Sequence, residues 1–288
     1  MSFRRSWFLT AIACVLAIGR LAAADPKASV FDQANALWKS GQYTNAVAAI
    51  TAGLKANPKD DRLLNQRAQM NSILGNYEEA VSDFTAALEI EPKSSFLFRE
   101  RAVARFKLGR FEDSASDFDQ VNQLLPKAAP HNWQRGIALY YAGRFKDGRE
   151  QFELHQTVNS GDVENAVWHF LCTAREQSFD AARKKIFPYR EDDRIPMKEI
   201  HALFAGTLKP EDVLAAATKG TPKPAELRYQ TFYAHLYLGL FFEAQGNADR
   251  AREELVAAVP LADPADYMGT VAKVHALRLV GRLPSTKK

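Results

Sequence analysis

The stretch Gly75-Asn76-Tyr77-Glu78-Glu79-Ala80-Val81-Ser82-Asp83-Phe84 decides the fold, because its pattern returns 34 residues later as Gly109-Arg110-Phe111-Glu112-Asp113-Ser114-Ala115-Ser116-Asp117-Phe118. Gly41 and Gly143 extend the glycine column by the same step in each direction. An aromatic stands two residues after each glycine (Tyr43, Tyr77, Phe111, Phe145), and a small residue three further on (Ala46, Ala80, Ser114, Gly148). Ile50, Phe84, Phe118 and Phe152 form the next apolar column, and Pro58, Pro92 and Pro126 close three of the four units. Ala34, Ala68, Ala102 and Gly136 mark a small position in the first half of each. A fixed period of this length is the signature of stacked units that cannot bury their apolar faces alone.

The period and the agreement of several columns in one register resemble the tetratricopeptide repeat (TPR), whose unit is a pair of antiparallel helices, A then B. Each column has a physical reason. Glycine ends helix A, where a left-handed residue is needed. The small residues let A and B approach closely, the aromatic fills the space between them, and proline stops helix B. The chain therefore reads as all-α, a right-handed TPR solenoid of antiparallel helix pairs with a C-terminal capping helix. Four regular units occupy 27–60, 61–94, 95–128 and 129–162, within a regular region 25–162. Residues 163–230 carry degenerate or distorted pairs: Phe179 and Ala182 keep their columns, but Phe170 and Tyr189 fall where small residues belong. Met197 to Gly206 reads as a helix A, and Pro210 suits the first turn of a short helix B. Lys219 to Pro224 reads as a turn. Residues 231–288 hold a final unit at 232–265, a capping helix from Asp266 to Leu283 and a frayed tail. No period-two alternation marks a strand.

The first residues follow a different logic. Arg4 and Arg5 precede an apolar stretch from Trp7 to Ile18, and Leu21-Ala22-Ala23-Ala24 supplies small residues before Asp25. That order is a secretory signal peptide over residues 1–24 with cleavage after Ala24. The apolar stretch falls short of the roughly 20 residues that span a bilayer. A retained anchor and a lipid-bearing Cys14 are the competing readings. An exported chain of this kind is expected in the periplasm. Without Arg4, Arg5 and Arg20 the formal charge falls from +4 to +1, so no strong field for nucleic acid or anionic membrane remains. Cys172 then has no cysteine to pair with and reads as a small core residue.

The motifs that carry chemistry are absent: no G-x-S-x-G, P-loop, H-E-x-x-H or C-x-x-C occurs. His131, His155, His169, His201, His235 and His275 have no metal-ligand spacing on one helix face. Glu191-Asp192-Asp193 lacks the ligand spacing of a calcium loop and reads as a solvated loop. Neither an enzyme nor a cofactor is expected; an unrecognised site in 163–230 is the opposing reading.

The TPR resemblance implies a concave groove lined by the second, fifth, ninth, twelfth and thirteenth places of each unit. Those places include Phe31, Asn35 and Trp38 in the first unit and Asn65 and Gln69 in the second. They include Arg99 and Phe106 in the third and Trp133, Tyr140 and Tyr141 in the fourth. Aromatic anchors among amide and guanidinium donors suit an apolar peptide or an amphipathic helix. The opposing expectation is that Trp133 and Tyr140 pack on neighbouring helices.

From His131 to Phe145, at Leu203-Phe204-Ala205-Gly206-Thr207-Leu208, and from Phe232 to Val259, the chain also resembles the bacterial new-lipoprotein-I family. That resemblance implies a periplasmic adaptor that brings a protease to cell-wall hydrolases in peptidoglycan remodelling. Its members carry a lipid-bearing cysteine at the end of the signal peptide, where this sequence has Ala24-Asp25. The expected partner is a protein or peptide, a cell-wall hydrolase or processing protease among the candidates, with no nucleic acid and no cofactor. A structural subunit of an envelope or secretion complex is the alternative.

Overall fold

The computed structural model describes residues 29–283. The proposed signal peptide and the tail after Leu283 lie outside them. Every regular element among the described residues is helical. The first three units are the pairs α1 (Val30–Lys39) and α2 (Tyr43–Ala56), α3 (Asp61–Leu74) and α4 (Tyr77–Ile90), α5 (Ser95–Lys107) and α6 (Phe111–Leu124). A 3₁₀ turn at Pro126–His131 leads to α7 (Trp133–Tyr141) and α8 (Phe145–Gln156).

The columns act locally as their chemistry demands. Gly75 ends α3 at φ 85°, a left-handed conformation that glycine enters without a Cβ penalty, and Gly41, Gly109 and Gly143 do the same at 79°, 75° and 80°. Asp60 and Ser94 cap α3 and α5 by accepting from the amides of Leu63 and Leu97. Ala34, Ala46, Ala68, Ala80 and Ala102 are wholly buried between their helices. The approach is close in the fourth unit too, where a Cβ on Gly136 would sit 2.5 Å from the ring of Phe152.

A polar ladder runs through the same period. Arg67 on α3 donates to both carboxylate oxygens of Asp83 on α4, at 2.8 and 2.7 Å, and to Thr51 on the preceding α2 at 3.1 Å. Arg101 repeats this with Asp117 at 3.0 and 2.8 Å and Thr85 at 3.0 Å. In the fourth unit the partners exchange columns. Arg135 binds Gln151, where its predecessors meet an aspartate, and Asp119, where they meet a threonine. Each arginine thus keeps one carboxylate and ties its unit to the one before it.

After α8 the register loosens. α9 (Val163–Glu176) pairs with a short α10 (Phe179–Lys185), and an irregular segment at 186–196 leads to α11 (Met197–Ala205) and α12 (Pro210–Ala217). Phe187 in that segment stacks on His169 with ring centroids 4.1 Å apart. Arg194 fastens it to α9 by bonding Asp162, Glu164 and Asp192. The long α13 (Pro224–Ala244) pairs with α14 (Ala248–Ala258), and α15 (Tyr267–Leu279) follows.

α15 packs on α14 and also returns to α5. Its Tyr267 stacks on Phe106 and meets Trp133 edge-on, with ring centroids 5.7 and 5.2 Å apart. The hydroxyl of Tyr141 lies 2.6 Å from Nδ1 of His275, and the Arg278 guanidinium sits over the Tyr141 ring and pairs with Glu243 of α13. The buried apolar residues form two clusters. One runs from Ala34 to Ala104 and the other from Ala102 to Ala276, so the division falls inside α5.

Candidate binding groove and interior cavity

The structure separates the ten groove residues by depth. Phe106, Tyr140 and Tyr141 are buried at 0%, 1% and 1% exposure. For Phe106 and Tyr141 the cause is α15, which covers them with Tyr267, His275 and Arg278. Tyr140 also packs edge-on against Phe145 and Trp168. These three belong to the core and do not line an open groove. Trp133 is half-buried beneath Tyr267.

The other six residues remain on an accessible face of the first three units. Gln69 and Arg99 are exposed, and Phe31, Asn35, Trp38 and Asn65 are half-buried. Adjacent helices tie them together. Gln66 of α3 donates to Oδ1 of Asn35 at 2.8 Å, and Gln69 donates to Asn65 at 2.9 Å. Trp38 rests on Tyr43 with centroids 4.6 Å apart. The same repeat places also hold Arg62, Ile73, Phe96 and Lys107. Arg62 lies over the Phe31 ring at 4.8 Å, Ile73 is 72% exposed and Phe96 47%. Lys107 sits over Tyr77 at 5.0 Å, and burial pulls its ammonium below the ordinary lysine value. The period makes these four residues legible, since they occupy the second and thirteenth places of their units. Together the open face carries apolar anchors beside three cationic side chains.

A second feature lies deeper. A cavity of about 210 Å³ sits where α13 and the start of α15 close over α7, α8 and α9. Trp133, Trp168 and Tyr233 supply aromatic walls, and Asp162, Glu164 and Asp266 supply carboxylates. His155 also lines it, with Nδ1 2.8 Å from the Pro130 carbonyl; a carbonyl only accepts, so that nitrogen carries a proton. Tyr233 donates to Asp266 at 3.2 Å, and Tyr237 donates to Glu164 at 2.7 Å. Burial pushes the Glu164 carboxyl up to about 7 against the pull of Arg194. Sequence columns do not show this cavity, because its walls come from residues as far apart as Trp133 and Met268.

A tetratricopeptide-repeat family profile matches residues 31–95, the first two units. Among solved structures, a tetratricopeptide repeat protein from Parabacteroides merdae superposes over 85% of this chain and 96% of its own, with 17% identity and a TM-score of 0.56. The fold is that of a tetratricopeptide-repeat protein. MamA protein is similar over 68% of the present TPR chain and 96% of its own, at 14% identity and a TM-score of 0.51. No curated protein matches the chain. Among the described residues no group of three or more His, Cys, Asp or Glu side chains is arranged to hold a metal ion.

Proposed function

We propose that the protein is a non-catalytic scaffold that binds a protein segment on the open inner face of its first three units. The observation that carries this reading is the presence of Phe31, Trp38, Ile73 and Phe96 with Arg62 and Arg99 on groove places of the first three units that remain half-buried or exposed. Apolar anchors give affinity once water is excluded, and the guanidinium groups give orientation through charge-assisted hydrogen bonds. The complementary segment is an amphipathic helix or extended peptide bearing aromatic or aliphatic side chains and carboxylates.

The pattern of residues 1–24 supports export, and the new-lipoprotein-I resemblance supports an adaptor role in the envelope. A scaffold of this kind works by co-localisation, raising the effective concentration of one bound protein at another. The test is crosslinked pull-down from envelope extract with residues 25–288 as bait and a Trp38→Ala, Arg99→Glu variant as control. A cell-wall hydrolase or processing protease held by the wild type and lost by the variant is expected. Equal recovery by both baits removes the open face from the mechanism.

A further inference from the structure

The interior cavity has no part in the groove mechanism, and its chemistry is specific. Asp162, Glu164 and Asp192 share the single guanidinium of Arg194, so this corner holds more negative than positive charge. Asp266 adds a fourth carboxylate, and among the described residues no lysine or arginine lines the cavity. Two buried polar atoms on the lining residues are unsatisfied. Nε1 of Trp168 and Oδ1 of Asn165 meet no hydrogen-bond partner among the described residues, although each residue is 2% exposed. A buried donor or acceptor left unmade is costly enough that native structures rarely keep one without a reason.

We infer that this cavity binds a small organic cation, an ammonium or guanidinium group, held between Trp133, Trp168 and Tyr233 and countered by Glu164 and Asp266. Aromatic faces attract a desolvated cation through the ring quadrupole, and this attraction grows as water is excluded. The carboxylates supply the opposite charge, and Oδ1 of Asn165 accepts from an N–H; the Trp168 N–H, a donor, takes no part in holding the cation. The cavity of about 210 Å³ has room for a group the size of a lysine or arginine head. Such a cation reaches the cavity as a free amine or as a side chain of a partner. The site stands apart from the open face of the first three units, so either reading survives failure of the other.

The indole N–H of Trp168 reports directly on the cavity. In ¹H–¹⁵N spectra of residues 25–288, its signal is assigned by its loss in Trp168→Phe. The chain is titrated with choline, with capped lysine and arginine amides, and with 3,3-dimethylbutan-1-ol, the uncharged isostere of choline. The expected result is a saturable shift with at least one cation and none with the isostere. Saturation by choline alone identifies a free quaternary ammonium compound, held by the aromatic faces and carboxylates without the Asn165 bond, and saturation by a capped residue identifies a side chain. Asp266→Asn keeps an N-cap acceptor for the Met268 amide and places its NH2 toward the Tyr233 hydroxyl, which can accept from it, while removing one charge. It is expected to weaken the response roughly tenfold with an unchanged circular dichroism spectrum. The inference is overturned if no cation gives a saturable shift, if the isostere saturates as well as choline, or if Asp266→Asn binds with undiminished affinity.

Discussion

At the scale of single residues, the repeat is held by two devices of opposite character. One is steric: Gly136 lets α7 meet α8 closely enough that a methyl group would overlap Phe152. Gly136→Ala is expected to destabilise by about 1–3 kcal/mol through overpacking, and urea unfolding measures it; a midpoint equal to wild type would show that Phe152 yields freely. The other is electrostatic. Asp83 is 5% exposed and its carboxylate is fully engaged by Arg67. Arg67→Met strands that charge and is expected to cost about 3–5 kcal/mol. The double variant Arg67→Met, Asp83→Leu restores most of the loss, because the pair's own net worth is small. A double variant as unstable as the single one would mean that the arginine acts through its packing. The steric columns were legible in the sequence, since glycine and alanine recur at fixed places. The ladder was there too, in Arg67, Arg101 and Arg135, but the exchange of partner columns at Asp119 and Gln151 hides it from column matching.

At the scale of the element, α15 is where sequence and structure part most. A period of 34 reports contacts between neighbouring units and is silent about a helix that returns to units far behind it. Tyr141 and His275 lie 134 positions apart, so no column links them. That is why Phe106 and Tyr141 read as groove residues when α15 in fact covers them, while Tyr140 is buried against Phe145 and Trp168. The docking carries a titratable group at its centre. His275 is fully buried, and burial holds its imidazole below the ordinary value of 6.5 despite Glu243 beside it. Arg278 and Arg175 add positive charge nearby, and Glu243, paired with Arg278, is held below the ordinary carboxylate range against its own burial. The unfolded chain takes a proton on this histidine near pH 6.5 and the folded chain resists it, so stability contributed here is lost as pH falls below that value. Glu164 acts in the opposite sense: its carboxyl is raised to about 7, so its contribution is lost as pH rises toward that point. The comparison therefore belongs between wild type and His275→Gln. Melting curves from pH 7.5 to 5.5 are expected to fall more steeply on acidification for wild type, and parallel curves would show that His275 does not govern the docking.

At the scale of the whole molecule, the two core clusters give the solenoid unequal halves. The cluster from Ala34 to Ala104 buries Phe84 as its one aromatic among the described residues. The cluster from Ala102 to Ala276 gathers Tyr140, Trp168, Phe204, Tyr237 and Phe241, and is cross-tied by α13 and α15. Stability in a repeat array is close to a sum of unit terms and nearest-neighbour terms, so an end that lacks long-range ties opens first. α1–α4 form such an end, and they carry most of the open face. Amides of α1–α4 are expected to exchange with solvent at least about tenfold faster than those of α7, α9 and α13, a difference of about 1.4 kcal/mol in opening free energy. A ligand that binds only the folded form of these units stabilises them by mass action. A partner segment on the open face should therefore slow exchange in α1–α5 selectively, whereas a cation in the interior cavity should slow it around α7, α9 and α13. Uniform exchange along the free chain would show that α5 joins the two clusters into one cooperative unit, and protection would then rise everywhere at once whichever site is filled.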